Sequence, residues 1–279
     1  MPSALNSSLL VFCAALAAAA GARAEPSYGS EIPPPNVVAQ LDQLAPQRPG
    51  TVDLYAIVVG GDGMEEVFGR EVAQVRRVLE ERFDAAGRIV TLVNTRNSRE
   101  PEVTLRSLAY ALKAVAAKMD RDEDVLLLHL TTHGGSNHVL VLDHPQLELY
   151  GLSPRYLKAL IDQSGIRYRV VVVSACYSGA FVQPLANPNA LVITAASANR
   201  QSFGCGKKSP ITEFSKAFYL EALKQTLSFP VAARDAMRIV HETELAQGRK
   251  HSYPQMRLGA ALEEPLKSLE QRLANGTGR

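Results

Sequence analysis

Two residues stand out for what their types could do together. His133 sits in Thr131-Thr132-His133-Gly134-Gly135, and Cys176 in Ser174-Ala175-Cys176-Tyr177-Ser178-Gly179. Each comes just after an apolar run, and each is followed within three residues by glycine. A thiol attacks a carbonyl carbon as the thiolate, and an imidazole beside it favours that form. The tetrahedral adduct then needs donors for its oxygen. The backbone N–H groups of Gly134 and Cys176 are the natural candidates, because glycine permits close backbone approach. Singly, a histidine at a strand end is ordinarily a hydrogen-bonded structural residue, and a cysteine after an apolar strand a small buried hydrophobe. Their joint occurrence at equivalent places is what argues for chemistry.

Other candidates carry less. His129 and His133 are four apart, with His138 and His144 nearby, which invites zinc. The H-E-x-x-H arrangement needs a helix and a glutamate, whereas this pair lies on an apolar strand without one. Neither a metal nor a cofactor is expected. Cys205 and Cys176 lack the C-x-x-C spacing of thiol-redox enzymes. Lys and Arg total 30 against 28 Asp and Glu, a net +2, with no basic cluster and no Trp. A nucleic-acid partner is therefore not expected.

The elements that must position the pair follow from hydrophobic periodicity. Leu54–Val59 is a nearly continuous apolar run closed by Gly60-Gly61-Asp62-Gly63, the pattern of a strand buried on both faces. Phe68, Val72, Val75, Leu79 and Phe83 recur at helical spacing, with Arg and Glu on the opposite face. Further strands are predicted at 88–93, 125–130, 169–174 and 190–194. Helices are predicted at 105–119, 156–161, 214–227 and 231–245, and a hairpin at 138–149. Alternating strands and helices predict an α/β three-layer sandwich, a mostly parallel sheet with helices on both faces. Ligands of such sheets bind beyond the carboxyl ends of the strands, where His133 and Cys176 would both project.

Leu9 to Ala20 is an apolar run, and Ala22-Arg23-Ala24 has small residues where a leader peptidase wants them. Residues 1–24 read as a signal peptide, which predicts an exported chain, periplasmic or secreted. The run is short for a membrane anchor, and Phe12 before Cys13 speaks against a lipoprotein. Residues 25–51, with Pro33-Pro34-Pro35, read as a Pro-rich arm. The main domain spans 52–262, and 263–279 forms a tail with a surface helix that frays at its end. Loss of Cys13 with the leader leaves two cysteines, so packing rather than disulfides must hold the fold.

The segments Leu128–Gly134 and Val171–Gly179 resemble the two active-site blocks of legumain-like cysteine peptidases, members of the wider caspase-like clan. Thr194–Cys205 is similar to their substrate-pocket strand, and Ser252-Tyr253-Pro254-Gln255 to an ending of bacterial members. The resemblance runs from about Val52 to Gly259. It implies a caspase-like domain that cleaves peptide bonds of a protein or peptide substrate through a thioester. His133 would be the base, Cys176 the nucleophile and Gly134 an oxyanion donor. Ser174 and Ser202 would line the substrate pocket, and Cys205 would be pocket structure rather than a second nucleophile. Ser174 stands where legumains of animals and plants carry an acidic residue, so their asparagine preference does not transfer. Asp62 is the candidate for the third catalytic group. The same dyad serves a transpeptidase, and a catalytically silent peptide- or partner-binding module is the competing reading. A pro-segment and a Cys176–Cys205 disulfide are further options the resemblance leaves open.

Overall fold

The computed structural model describes residues 26–206 and 209–276. The leader expected at 1–24 lies outside them. The described elements, in chain order, begin with α1 (Pro35–Asp42), β1 (Leu54–Gly60), α2 (Glu66–Arg82) and β2 (Ile89–Val93). Then come α3 (Leu105–Lys118), β3 (Val125–Thr131), α4 (Pro154–Ser164), β4 (Tyr168–Ser174), α5 (Val182–Leu185) and β5 (Ala190–Thr194). A helical stretch, α6, runs from Glu213–Ser215 through the π-helical Lys216–Ala222 to Leu223–Gln225. The chain continues through α7 (Phe229–Ala246), β6 (Gln255–Leu258) and α8 (Glu263–Gly276).

The six strands are ordered β2-β1-β3-β4-β5-β6. The first five are parallel and β6 pairs antiparallel to β5. The chain leaves β1 towards β2 and then returns to β3 on β1's other side. The switch in direction opens a crevice between the carboxyl ends of β1 and β3.

Alternation of side chains along the strands splits the core in two. Tyr55, Ile57, Val59, Leu126, Leu128, Leu130, Val171 and Val173 face α1, α3, α4 and α5. Leu54, Ala56, Val58, Val125, Leu127, Val170 and Val172 face α2, α6, α7 and α8. Both faces are apolar because both are covered, which is why the strands read as unbroken apolar runs. Burying each such side chain contributes about 1.5–3 kcal/mol.

Four expectations need correcting. The Pro-rich arm is not wholly extended: Pro34 caps and Pro35 opens α1, whose Val37 and Leu41 are buried against the sheet. Proline suits the first turn of a helix because its missing N–H has no partner there. The stretch 138–149 forms single bridges rather than a hairpin: Leu140 pairs with Gly134 and Leu152, and Asp143 with Asp62. The tail helix buries Leu266, Leu269 and Leu273, so it belongs to the core layer. Glu71, on the α2 face read as solvent-facing, is wholly buried.

Candidate active site

β3 and β4 are neighbours in register, with Thr131 opposite Ser174. Two residues beyond these partners come His133 and Cys176, so the register alone sets them side by side at the sheet's carboxyl edge. Both line one small cavity of about 10 Å³, with Phe68, Ser174, Ser202, Phe203, Cys205 and Thr212 among its walls. The backbones also meet: a Cβ on Gly134 would overlap the carbonyl oxygen of Cys176. Glycine at 134 is therefore a packing requirement. Among the described residues, neither the Gly134 nor the Cys176 backbone N–H donates to another backbone carbonyl.

Just after Cys176 the chain turns sharply. Tyr177 has φ 58°, the left-handed region that a bulky residue rarely occupies, at a cost of order 1 kcal/mol. Its N–H is held by the Arg200 carbonyl at 2.7 Å. That bond draws the segment following β5 over the site. The segment carries Ser202, whose carbonyl accepts from the Cys176 thiol at 3.6 Å.

The same segment brings Cys205 to the imidazole. His133, Cys176 and Cys205 thus share the walls of one cavity. The neighbouring Cys205 side chain raises the His133 pKa and outweighs burial, with Asp62 and Glu65 adding to the rise. The Cys205 thiol is lowered by the same imidazole. Burial pushes the Cys176 thiol up. The imidazole ring is packed edge-on against Phe68, with centroids 5.1 Å apart.

Asp62, at the end of β1, is buried and accepts the Met64 N–H at 2.7 Å. Burial raises its pKa, against the pull of that N–H and the nearby His133. Past the ends of β1 and β2 lies a larger open cleft of about 510 Å³, bordered by Met64, Glu65, Arg70, Asn94 and Arg96.

Beneath the cavity is a polar cluster that sequence reasoning missed. Glu71 accepts from the Ser215 hydroxyl at 2.6 Å, the Thr212 N–H at 3.0 Å and His129 Nε2 at 3.0 Å. His129 Nδ1 meets the Tyr219 hydroxyl at 3.1 Å. Desolvation would raise the Glu71 pKa, but these partners, His129 first, hold it below the usual carboxylate value. The Ser174 hydroxyl joins the cluster through Thr212 at 2.9 Å and Ser215 at 3.1 Å. Ser174 therefore forms the cavity wall with its hydroxyl turned to neighbours. The structure marks the cluster by the π-helical stretch around Tyr219, of the kind that gathers at functional sites, and no local sequence pattern announces one.

Three of the four histidines that the sequence argues against as zinc ligands have other partners. His129 serves Glu71, His138 reaches the Ala198 carbonyl, and His144 meets Ser98. Among the described residues no three His, Cys, Asp or Glu side chains gather as a metal site.

The model of the Peptidase C13 family matches residues 108–262, more than half of the chain, and this stretch holds both His133 and Cys176. The chain belongs to the peptidase C13 family. No curated protein matches it. The legumain-like resemblance of the two blocks is thereby accounted for, and so is the mostly parallel sheet with helices around it. Membership of peptidase C13 points to a cysteine-type peptidase, hence a hydrolase acting on proteins or peptides. The matched stretch begins within α3, so Asp62, Glu65 and Glu71 lie outside it.

Proposed function

We propose that the chain is an exported cysteine endopeptidase in which Cys176 attacks the scissile carbonyl and His133 acts as its base. The observation that carries this reading is the shared cavity of His133 and Cys176 within the stretch matched by the family. The apolar run 9–20 followed by Ala22-Arg23-Ala24 supports export.

In this account His133 takes the thiol proton as Cys176 adds to the carbonyl carbon. The adduct's oxygen is received by the backbone N–H groups of Gly134 and Cys176, which among the described residues are uncommitted to backbone carbonyls. His133 then returns the proton to the leaving amine, and a thioester remains until water resolves it. Asp62, facing His133 from the end of β1, favours the imidazolium formed in the first step. A cavity of about 10 Å³ holds no more than one water. Substrate entry therefore requires Cys205 to withdraw, and its withdrawal leaves the imidazole to Cys176. The neighbouring 510 Å³ cleft supplies room for residues on one side of the scissile bond.

The test is hydrolysis of a peptide library by the purified chain and by Cys176→Ala. The variant should lose at least about 10³-fold in kcat/KM, in line with losing a nucleophile, and keep its unfolding midpoint. Full activity in Cys176→Ala would overturn the assignment. Absence of activity in the reduced wild-type chain would favour the silent binding module.

A further inference from the structure

Catalysis by Cys176 and His133 has no use for Cys205, yet this thiol lines their cavity. It lines the same cavity as Cys176, with room for at most one water between the walls. Gly204 on one side has φ +85° and packs against the Glu213 backbone, whereas Gly206 on the other has no neighbouring heavy atom where a Cβ would lie. Phe203 behind it is pinned through its carbonyl to the Glu213 N–H at 3.1 Å. A partly exposed thiol beside an imidazole and a second thiol is the arrangement of peroxide-sensing cysteines.

We propose that Cys205 is the peroxide-reactive site of this chain, and that its oxidation is passed to Cys176 as a reversible disulfide that closes the active site. The proposal rests on the reading of Cys176 as nucleophile. In the first step the Cys205 thiolate attacks one oxygen of hydrogen peroxide. An S–O bond forms, the O–O bond breaks, sulfur is oxidised by two electrons, and His133 protonates the departing hydroxide to water. In the second step the Cys176 sulfur attacks the Cys205 sulfenic sulfur. The Cys176 proton passes to His133 and on to the departing hydroxide, giving a second water and the S–S bond. An external dithiol reverses the bond by exchange.

The withdrawn and resting positions of Cys205 thus have different chemical fates. When substrate displaces it, Cys176 is free to react. When the site is empty, Cys176 has a partner that shields it from oxidation to sulfinic acid, which dithiols do not reverse.

The experiment uses the full mature chain, reduced and then treated with hydrogen peroxide, with disulfides mapped by mass spectrometry under non-reducing conditions. An intramolecular Cys176–Cys205 link is expected, with peptidase activity at least about 100-fold down while it lasts, because a sulfur in a disulfide is no nucleophile. Dithiothreitol should restore most of the starting activity. Cys205→Ser, normalised to its own untreated rate, should recover less than about a tenth after the same cycle, its Cys176 carrying sulfinic acid. A wild-type chain inactivated without the link, or a Cys205→Ser variant that recovers as fully as wild type, would overturn the latch and leave the catalytic reading intact. A reduced chain with no peptidase activity that still forms the link would overturn the catalytic reading instead, since the bond is read by mass alone.

Discussion

The two edges of the sheet treat polar groups in opposite ways. At the amino edge, Asp53 lies just before β1 with no exposure, and Arg48 and Arg88 converge on it. Asp124, just before β3, accepts the N–H groups of Asp53 and Asp120 at 2.8 Å each. Arg272 of α8 reaches Asp84 at 2.6 Å and so ties the last helix to the same edge. Charges there are consumed by partners. At the carboxyl edge the groups are a thiol, an imidazole and backbone donors without backbone acceptors, beside a strained Tyr177. One edge holds the sheet together; the other keeps its polar groups available. The contrast matches the general placement of ligand sites in parallel sheets and gives it a physical content.

Substitutions at the two edges should therefore separate activity from stability. His133→Ala should lower kcat/KM by about 10²–10⁴-fold, the usual contribution of a general base, with the urea midpoint unchanged. Steady-state hydrolysis and equilibrium unfolding on the same preparation check both halves. Asp53→Ala should do the reverse. It strands Arg88 and releases Arg48, which is itself 42% exposed. The loss should be about 3 kcal/mol in urea unfolding, discounted for that exposure, with activity per folded molecule retained. If Asp53→Ala were as stable as wild type, the amino edge would not be the brace it is taken for here.

A finer prediction concerns the two thiols within the carboxyl edge. Cys205 is lowered by His133 against the opposing effects of burial and Glu65, while Cys176 is raised by burial and by Cys205. Only the thiolate alkylates, so as pH falls Cys176 loses its reactive form first. At pH 7 iodoacetamide should modify Cys205 several-fold faster than Cys176, by roughly the ratio of thiolate fractions. The preference should narrow as pH rises past about 9, where ordinary thiols are also ionised, and should disappear in His133→Ala. Peptide mapping after short exposures reads both rates.

Much of this was legible in the sequence. β1, β3, β4 and β5 are buried on both faces, so each appears as an apolar run with a definite end, and the residues beyond those ends are the site. β6 was not legible as a strand: Gln255–Leu258 is an edge strand of four residues whose side chains are exposed or half-exposed. α1 was hidden because the prolines that open it also look like a linker. Glu71 sits among arginines and glutamates at positions 70–81, and its burial depends on Thr212 and Ser215, more than 140 residues on. No local period can carry that. The resemblance makes Cys205 part of the pocket, but its place beside His133 follows from the Tyr177–Arg200 backbone bond that folds the segment inward. Such a bond is a property of the assembled chain.

The most direct measurement of the central claim is the labelling of the reduced mature chain with a peptidyl acyloxymethyl ketone, followed by mass mapping of the adduct. Such a probe must occupy the site as a substrate does and displace Cys205 to react. One adduct on Cys176 is predicted, with labelling lost in His133→Ala. Adduct on Cys205 instead, or equal labelling of Cys176 without the imidazole, would contradict the account.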